Sequence, residues 1–420
     1  MDIETKCVQS GYKPKNGDPR VLPIAMSTTY QYDSTQHVGD LFDLKADGFF
    51  YTRLANPTAA AVEEKIAQLE GGTAAMLTAS GMSASMLAVL NIASEGDHIV
   101  SAGEIYGGTT NLFSVTLKRL GIDFTFVNIN DLKAVEAAIK PNTKAIFGET
   151  IANPALTVMD IEGVAKIAHK HGIVLIVDNT FATPVICRPF EYGADIVVHS
   201  TSKYMDGHAV ALGGAVVESG KFDWKKSGKY PMFTQPDESY HGVVYCDSFP
   251  SCPFVTKARV QLMRDMGPAP SAMNAFLLNL GLETLHLRMP RHCENALQVA
   301  SFLATQKKVK SVKYPALKSD SDYQRAQKYL GGKASGVISF ELRSRDEAVK
   351  FMDSLKLAKI VVHVADARTS VLHPASSTHR QLSDEGLVAA GITAGTIRLS
   401  VGIESVKDII EDLQQALQQI

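Results

Sequence analysis

Two reactive side chains follow two short apolar segments in the middle of the chain. Asp178 ends the run IVLIVD, and Lys203 follows the run DIVVH together with Ser200 and Ser202. Short continuous apolar runs are typical of buried parallel strands. In open α/β sheets, ligands bind beyond the carboxyl ends of such strands. The pattern therefore predicts that a carboxylate, a lysine and two hydroxyls lie together at one ligand-binding edge.

A lysine and a carboxylate in this arrangement suit one particular cofactor. The lysine can form a Schiff base with pyridoxal phosphate, and the aspartate can keep the pyridine nitrogen protonated so that the ring withdraws electrons. Either residue alone is better explained as a solvated charge, since the chain holds 42 Lys and Arg. The lysine and the aspartate together favour a binding site for pyridoxal phosphate. Nucleotide binding is disfavoured because the sequence contains neither GxGxxG nor a P-loop.

The segment ASGMSASM could hold the phosphate of such a cofactor. It places Ser80, Gly81 and Met82 between a predicted strand and the start of a predicted helix. Free backbone N–H groups and the helix dipole favour an anion at that point. On its own, however, the segment is better explained as an ordinary capped helix.

Further candidate residues lie outside the central pair. Tyr51 and Arg53 occur in YTRLANPT, where arginine would suit bidentate phosphate binding but is commonly solvated. Tyr106 in EIYGGTT has a ring that could stack on a flat cofactor or simply belong to the core. Asn153 follows Glu149 at the end of another predicted strand and reaches the same edge.

Arg398 lies within the apolar strand pattern TIRLSVG. An unpaired buried guanidinium is costly, so Arg398 requires an anion, either a protein carboxylate or that of a substrate.

Composition and charge limit the class of protein. A chain of 420 residues favours two domains, and a net charge of −2 gives no indication of nucleic acid or an anionic membrane as partner. We expect no membrane span and no secretion signal. Five cysteines without a CxxC pair favour reduced thiols in a cytoplasmic protein without a metal site.

The order of elements predicts an α/β fold in three parts. Residues 1–55 are rich in turn formers and aromatics, which indicates an extended arm. Strand and helix patterns alternate over 56–265, which is typical of a mostly parallel sheet. Residues 266–420 combine long helices with short strands and indicate a smaller α+β domain. The helical pattern after Asn274 has one expected interruption, near Met289–Pro290.

Taken together, these segments resemble the cystathionine γ-synthase-like enzymes of cysteine and methionine metabolism, which use pyridoxal phosphate. The matching segments occur in order over nearly the whole chain: YTRLANPT, LEGG, ASGM, IYGGTTNLF, ETIANP, VDNTF, HSTSKYMDGH, GLETLHLRM, HPASSTH and IRLSVGIE. The resemblance implies a fold-type I pyridoxal-phosphate transferase fold, similar to aspartate aminotransferase.

The resemblance also implies a role for each central residue. Lys203 would carry the cofactor as a Schiff base and act as acid and base. Asp178 would pair with the pyridine nitrogen. Tyr106 would stack on the ring and contribute to catalysis and substrate binding. Asn153 would lie near the 3-hydroxyl group, and Arg398 would bind the substrate α-carboxylate.

The phosphate would be held by two groups of residues. One group lies within this chain and comprises Ser80, the backbone of Gly81 and Met82, and the hydroxyls of Ser200 and Ser202. The other group, Tyr51 and Arg53, would reach the phosphate of a neighbouring subunit. The active unit would therefore be a homo-oligomer, commonly a tetramer in this family.

Within the family the chain is most similar to the O-acetylhomoserine sulfhydrylases, which implies conversion of O-acetylhomoserine and sulfide to homocysteine and acetate. Methionine γ-lyases carry a cysteine where this chain has Gly108, so methionine γ-elimination is the less favoured alternative. His363 stands where relatives often have Ser or Asn. A cofactor-binding regulator without turnover also remains open, although Lys203 and Asp178 argue against it.

Overall fold

The chain folds around two β-sheets. The computed structural model describes residues 1–377, 380 and 392–420. The strands are β1 Ala74–Thr78, β2 His98–Ala102, β3 Asp123–Val127, β4 Thr143–Glu149, β5 Val174–Asp178, β6 Ile196–His199, β7 Gly214–Glu218, β8 Ser311–Lys313, β9 Val337–Glu341, β10 Lys359–Ile360, β11 Ser370–Leu372 and β12 Thr396–Ser400.

The first sheet carries the predicted ligand-binding edge. Its seven strands run in the order β1-β7-β6-β5-β4-β2-β3, and every pair is parallel except the two that β7 makes with β1 and β6. The apolar residues of β5 and β6 are almost completely buried. The predicted α/β class with a mostly parallel sheet is confirmed. Strand β7 is the antiparallel member of this sheet.

The helices pack around these sheets. They lie at Ile3–Gln9, Thr35–Phe42, Pro57–Glu70, Gly81–Leu90, Gly107–Asn111, Leu132–Ala137, Ile161–Lys170, Thr183–Ile186, Trp224–Ser227, Pro231–Thr234, Tyr245–Ser248, Pro253–Lys257, Arg264–Met266, Ala272–Glu283, Leu285–Ala304, Tyr323–Leu330, Arg345–Asp353 and Val406–Gln418. Two π-helical segments lie at Leu112–Leu117 and Ala258–Met263, and 3₁₀ turns at Lys118–Leu120, Pro189–Tyr192, Glu238–Tyr240 and Pro374–Ser376.

The second sheet forms a smaller, mainly antiparallel layer. Its order is β10-β11-β12-β9-β8, and only β10 and β11 pair in parallel. The helix Leu285–Ala304 joins the two halves, because Leu285 and Met289 pack in the larger core whereas Ala296 and Val299 pack in the smaller one. This arrangement confirms the predicted smaller α+β layer.

The predicted interruption near Met289–Pro290 is wrong. The helical stretch breaks at Thr284, and Pro290 lies inside Leu285–Ala304. A proline lacks one backbone N–H and normally disfavours a helix interior. Here it lies in the second turn of the helix, directly after Arg288 and Met289, which are both buried. Tertiary packing therefore outweighs the single lost hydrogen bond.

The N-terminal residues contain a helix that the sequence pattern did not predict. Ile3–Gln9 packs against Pro57–Glu70, and Cys7 is completely buried between them. By contrast, the helix Pro57–Glu70 carries clear start and stop residues in its sequence, Asn56 and Gly71. The Asn56 side chain accepts hydrogen bonds from the first turn, and Gly71 ends the helix with a φ of 76°.

None of the helices within the described ranges is both long and apolar enough to cross a membrane. Among the residues that the structure describes, no three His, Cys, Asp or Glu side chains cluster as metal ligands do.

Candidate active site

Three neighbouring strands deliver polar side chains to one edge of the first sheet. Glu149 ends β4 and pairs in register with Asp178, which ends β5. Lys203 lies four residues beyond the end of β6. These residues line a cavity of about 530 Å³. The predicted meeting of strand ends is therefore present in the fold.

Lys203 has the environment of a reactive amine. Its Nζ lies 3.3 Å from Nδ1 of His363, to which the amine can donate a hydrogen bond. Burial, and then the positive charge of Arg398, lower the pKa of Lys203 to about 8. Burial and the nearby lysine lower the pKa of His363 to about 4, so its imidazole is neutral at pH 7. Lys203 can therefore exchange a proton near neutral pH.

One carboxylate oxygen of Asp178 already accepts a hydrogen bond from the protein. The backbone N–H of Thr180 donates to Asp178 Oδ1 at 2.9 Å. Burial raises the pKa of Asp178 above its ordinary value, and the Thr180 contacts oppose this shift. A cation beside the carboxylate would favour its ionised form. Asp178 thus provides an acceptor for a positively charged N–H group.

The start of the helix Gly81–Leu90 provides an anion-binding corner. Ser80 caps this helix, because its hydroxyl oxygen accepts a hydrogen bond from the Ser83 backbone at 3.2 Å. The N–H groups of Gly81 and Met82 belong to the first turn, which has no intrahelical acceptors. A Cβ at position 81 would lie 2.6 Å from the Cβ of Ser200, so only glycine fits there.

The two serines that precede Lys203 differ in their contacts. Ser202 donates its hydroxyl to the carbonyl of Gly213 at 3.1 Å and accepts from the N–H of Gly213 at 2.9 Å. Ser200 donates its backbone N–H to the Thr180 hydroxyl at 2.8 Å. Ser200 therefore keeps its side chain more available for a ligand than Ser202 does. Phosphate binding by both hydroxyls stays a prediction.

Tyr106, Asn153 and Arg398 lie on three separate elements of the chain. Tyr106 lines the cavity and remains 43% exposed. Arg398 in β12 donates to Asn153 Oδ1 at 3.1 Å and to the carbonyl of Val362 at 3.2 Å. Its Nε is buried and has no hydrogen-bond partner within the described residues. This donor has almost no accessible surface, and Arg398 is not among the residues that line the cavity.

Tyr51 and Arg53 are not brought to this cavity within one chain. Both are exposed and line a separate cavity, where the Arg53 guanidinium lies 5.1 Å from the centre of the Tyr51 ring. Arg53 also donates to the carbonyl of Arg264. Their predicted role toward a neighbouring subunit stays a prediction.

Sequence reasoning missed Thr180 as part of the site. Thr180 binds both Asp178 and Ser200 and lines the cavity. Its position two residues after Asp178, just beyond a strand, is the signal that could have identified it. Of the two histidines in HPASSTH, His373 contacts Ser376 and lies outside the cavity. His379 lies outside the described residues.

These features define a class of protein: an α/β enzyme with a lysine and a carboxylate at the carboxyl edge of its larger sheet. They fit pyridoxal phosphate in three respects. Lys203 has a lowered pKa, Asp178 is a half-buried acceptor, and the helix that begins at Gly81 presents its first N–H groups beside Ser200. The family model "Cys/Met metabolism PLP-dependent enzyme" matches residues 4–418, and the chain belongs to that family. It is therefore a pyridoxal-phosphate-dependent enzyme.

Similar proteins agree with this assignment. The chain is 46% identical to O-acetyl-L-homoserine sulfhydrylase of Corynebacterium glutamicum, covering 98% of this chain and 96% of the relative. It is 42% identical to the enzyme of the same name from Leptospira meyeri, covering 99% and 97%. A crystal structure of an O-acetylhomoserine (thiol)-lyase from Campylobacter jejuni superposes with a TM-score of 0.97 at 39% identity, covering 100% of both chains. That structure contains a lysine-linked pyridoxyl phosphate.

Proposed function

We propose that this enzyme converts O-acetylhomoserine and sulfide, or a small thiol, to homocysteine, or a thioether, and acetate. The observation that carries the proposal is full-length similarity to O-acetylhomoserine sulfhydrylases around a cavity containing Lys203 and Asp178. In the net reaction, the bond between the γ-carbon and the ester oxygen breaks and a carbon–sulfur bond forms. Acetate leaves with the bonding electron pair, and hydrogen sulfide loses one proton.

Each site residue has a proposed task in this reaction. Lys203 would attach the cofactor, and Asp178 would pair with its ring nitrogen. Tyr106 would stack on the ring, and Asn153 would serve its 3-hydroxyl group. Arg398 would bind the substrate carboxylate, which is supported by its hydrogen bond to Asn153, a residue that lines the cavity. Pyridoxal phosphate, when bound, withdraws electrons from the α-carbon of the attached amino acid.

The protein's own part in the chemistry is proton transfer and orientation. Lys203, once free of the cofactor, accepts the proton from the α-carbon and moves protons to and from the neighbouring carbon. Its pKa of about 8 allows both the amine and the ammonium form near neutral pH. Arg398 keeps the substrate in place by a bidentate contact while these transfers occur. The neutral imidazole of His363 adds no further positive charge beside these two groups.

Gly108 supports γ-replacement over methionine γ-elimination. A Cβ at position 108 would lie 2.6 Å from the Tyr106 ring, closer than such contacts normally occur. A cysteine at this position, as in the methionine γ-lyases, would therefore force the ring to move. The orientation of Tyr106 in this chain therefore depends on the absence of a side chain at position 108.

A substrate panel tests the proposed reaction. O-acetylhomoserine, O-succinylhomoserine, cystathionine and methionine are each supplied with and without sulfide, and homocysteine and 2-oxobutanoate are measured. We expect O-acetylhomoserine to be consumed much faster with sulfide and homocysteine to be the main product. Methionine breakdown to methanethiol and 2-oxobutanoate, without sulfide-dependent homocysteine, would instead assign a γ-lyase.

We further propose a homo-oligomer, most simply a tetramer built from dimers, in the cytoplasm. Residues 1–55 would form an arm toward a neighbouring subunit, 56–265 the cofactor domain and 266–420 the small domain. Tyr51 and Arg53 support a shared site, because both are exposed and line a cavity separate from that of Lys203 in their own chain. The five free cysteines suit a reducing compartment.

Mixed oligomers test the shared site. Arg53→Ala should weaken cofactor retention, since a bidentate phosphate contact is lost. Subunits carrying Arg53→Ala are mixed with subunits carrying Lys203→Ala after reversible dissociation. If the arm crosses between subunits, some mixed sites regain both Arg53 and Lys203, and activity returns. Mixtures that stay as inactive as the separate variants would show that each site belongs to one chain.

A further inference from the structure

Glu149 is a buried carboxylate that the proposed reaction does not use. It ends β4 and is 7% exposed. The backbone N–H of Tyr106 donates to its Oε1 at 2.7 Å, and the backbone N–H of Asn153 donates to its Oε2 at 3.0 Å. One carboxylate therefore joins two separate loops, and each of them carries a residue of the site.

The placement of Glu149 is energetically unfavourable apart from these contacts. Burial, and then the neighbouring Asp178 carboxylate, raise the pKa of Glu149 well above its ordinary value. Placing a second carboxylate beside Asp178 opposes ionisation of both groups. The two backbone contacts favour the ionised form and offset part of this cost. The chain thus keeps Glu149 in an unfavourable environment, in a position where its carboxylate contacts both loops.

The contacts of Glu149 extend to the proposed substrate-binding arginine. Asn153, whose backbone is held by Glu149, accepts a hydrogen bond from Arg398 Nη1 through its side chain at 3.1 Å. Tyr106, the other residue held, immediately precedes the helix Gly107–Asn111. The position of one carboxylate therefore influences an aromatic ring, an amide and a guanidinium on three elements.

We propose that Glu149 is a positioning residue that fixes the Tyr106 ring, the Asn153 amide and, through Asn153, Arg398. It acts through these residues and has no proton-transfer role of its own. This inference rests on the proposed function, because it assumes that Tyr106 and Asn153 serve the cofactor. Losing the carboxylate then weakens cofactor binding even in the absence of turnover.

The chain offers a matched control in Glu218. This carboxylate is 2% exposed and also ends a strand, β7. It accepts backbone N–H groups of Phe254 at 3.2 Å and Val255 at 2.9 Å. Because β7 is antiparallel, Glu218 pairs with Ala74 at the start of β1 and lies at the edge opposite the site. The two carboxylates thus share their chemistry and burial but not their location.

The experiment measures pyridoxal phosphate affinity of the apoprotein by absorbance titration, together with its melting temperature. Glu149→Gln should raise the dissociation constant about tenfold, because an amide nitrogen then faces one of the two N–H groups. Glu218→Gln should lower the melting temperature similarly yet change the affinity less than about threefold. Equal affinity losses in both variants, or none in Glu149→Gln, would overturn the proposal.

A double-mutant cycle distinguishes positioning from general destabilisation. In a Tyr106→Ala background there is no ring to position, so Glu149→Gln should cost clearly less affinity than in the parent. Glu218→Gln should cost the same in both backgrounds. Full additivity for Glu149→Gln would count against action through Tyr106.

Two further measurements keep the test decisive. If Glu149→Gln does not fold, Glu149→Asp replaces it, because the shorter carboxylate cannot reach both loops; parental affinity in that variant would refute the role. The proposed function fails separately, if the parent enzyme forms no sulfide-dependent homocysteine from O-acetylhomoserine.

Discussion

Replacing Lys203 with alanine should remove covalent cofactor attachment and lower kcat by at least about 10³-fold. Among the described residues that line the cavity, Lys203 is the sole amine. No other group there can both attach the cofactor and accept a proton at neutral pH. Borohydride reduction followed by mass spectrometry measures attachment, and sulfide-dependent homocysteine formation measures turnover.

Lys257 provides the control for this change. It is also a buried lysine whose pKa burial lowers to about 8, but it lies within 3.3 Å of Asn91 and away from the cavity. Lys257→Ala should lower the melting temperature while leaving covalent attachment intact. A Lys203→Ala protein that still carries a lysine-linked cofactor, or that turns over at the parental rate, would refute the assignment of Lys203.

The central site could be predicted from sequence because its residues follow buried strands directly. Asp178 and Lys203 come after apolar runs, and the edge of a parallel sheet brings such positions together without knowledge of the connecting helices. Thr180 was missed for a related reason. A single hydroxyl has many ordinary explanations, and its contact with Ser200 exists only after β5 and β6 have paired.

Contacts between distant segments could not be predicted in the same way. Lys203 and His363 are 160 residues apart, and Arg398 and Asn153 are 245 apart. Each pair depends on how the second sheet packs against the first. The same limit explains Pro290, where a local rule indicated a break but the packing of neighbouring buried residues kept the helix intact. Residue propensities predict where helices and strands occur, whereas packing in the core determines the residues at which they end.

Replacing Asp178 with asparagine should preserve part of the cofactor binding but lower kcat by roughly 10²–10³-fold. The estimate follows from the loss of a charge-assisted contact to a reacting system. An amide is neutral at every pH, so it cannot stabilise a protonated ring nitrogen as a carboxylate does. The shape of the side chain is nearly unchanged, and the Thr180 N–H can still donate to the remaining oxygen. Binding should therefore suffer less than turnover.

Asp195 provides the control for this change, because replacing it also removes a buried carboxylate but not one that faces the cavity. It is 3% exposed, contacts His169 and lies just before β6, at the sheet edge opposite the cavity. Asp195→Asn should lower the melting temperature with kcat nearly unchanged. The measurements are kcat, pyridoxal phosphate affinity and melting temperature for both variants. A kcat for Asp178→Asn within a few-fold of the parent would show that ring-nitrogen protonation does not depend on this carboxylate. A strong loss of kcat in Asp178→Asn, without such a loss in Asp195→Asn, would instead locate the rate effect at the carboxyl edge of the sheet. Asp178 faces the same cavity as Lys203 at that edge.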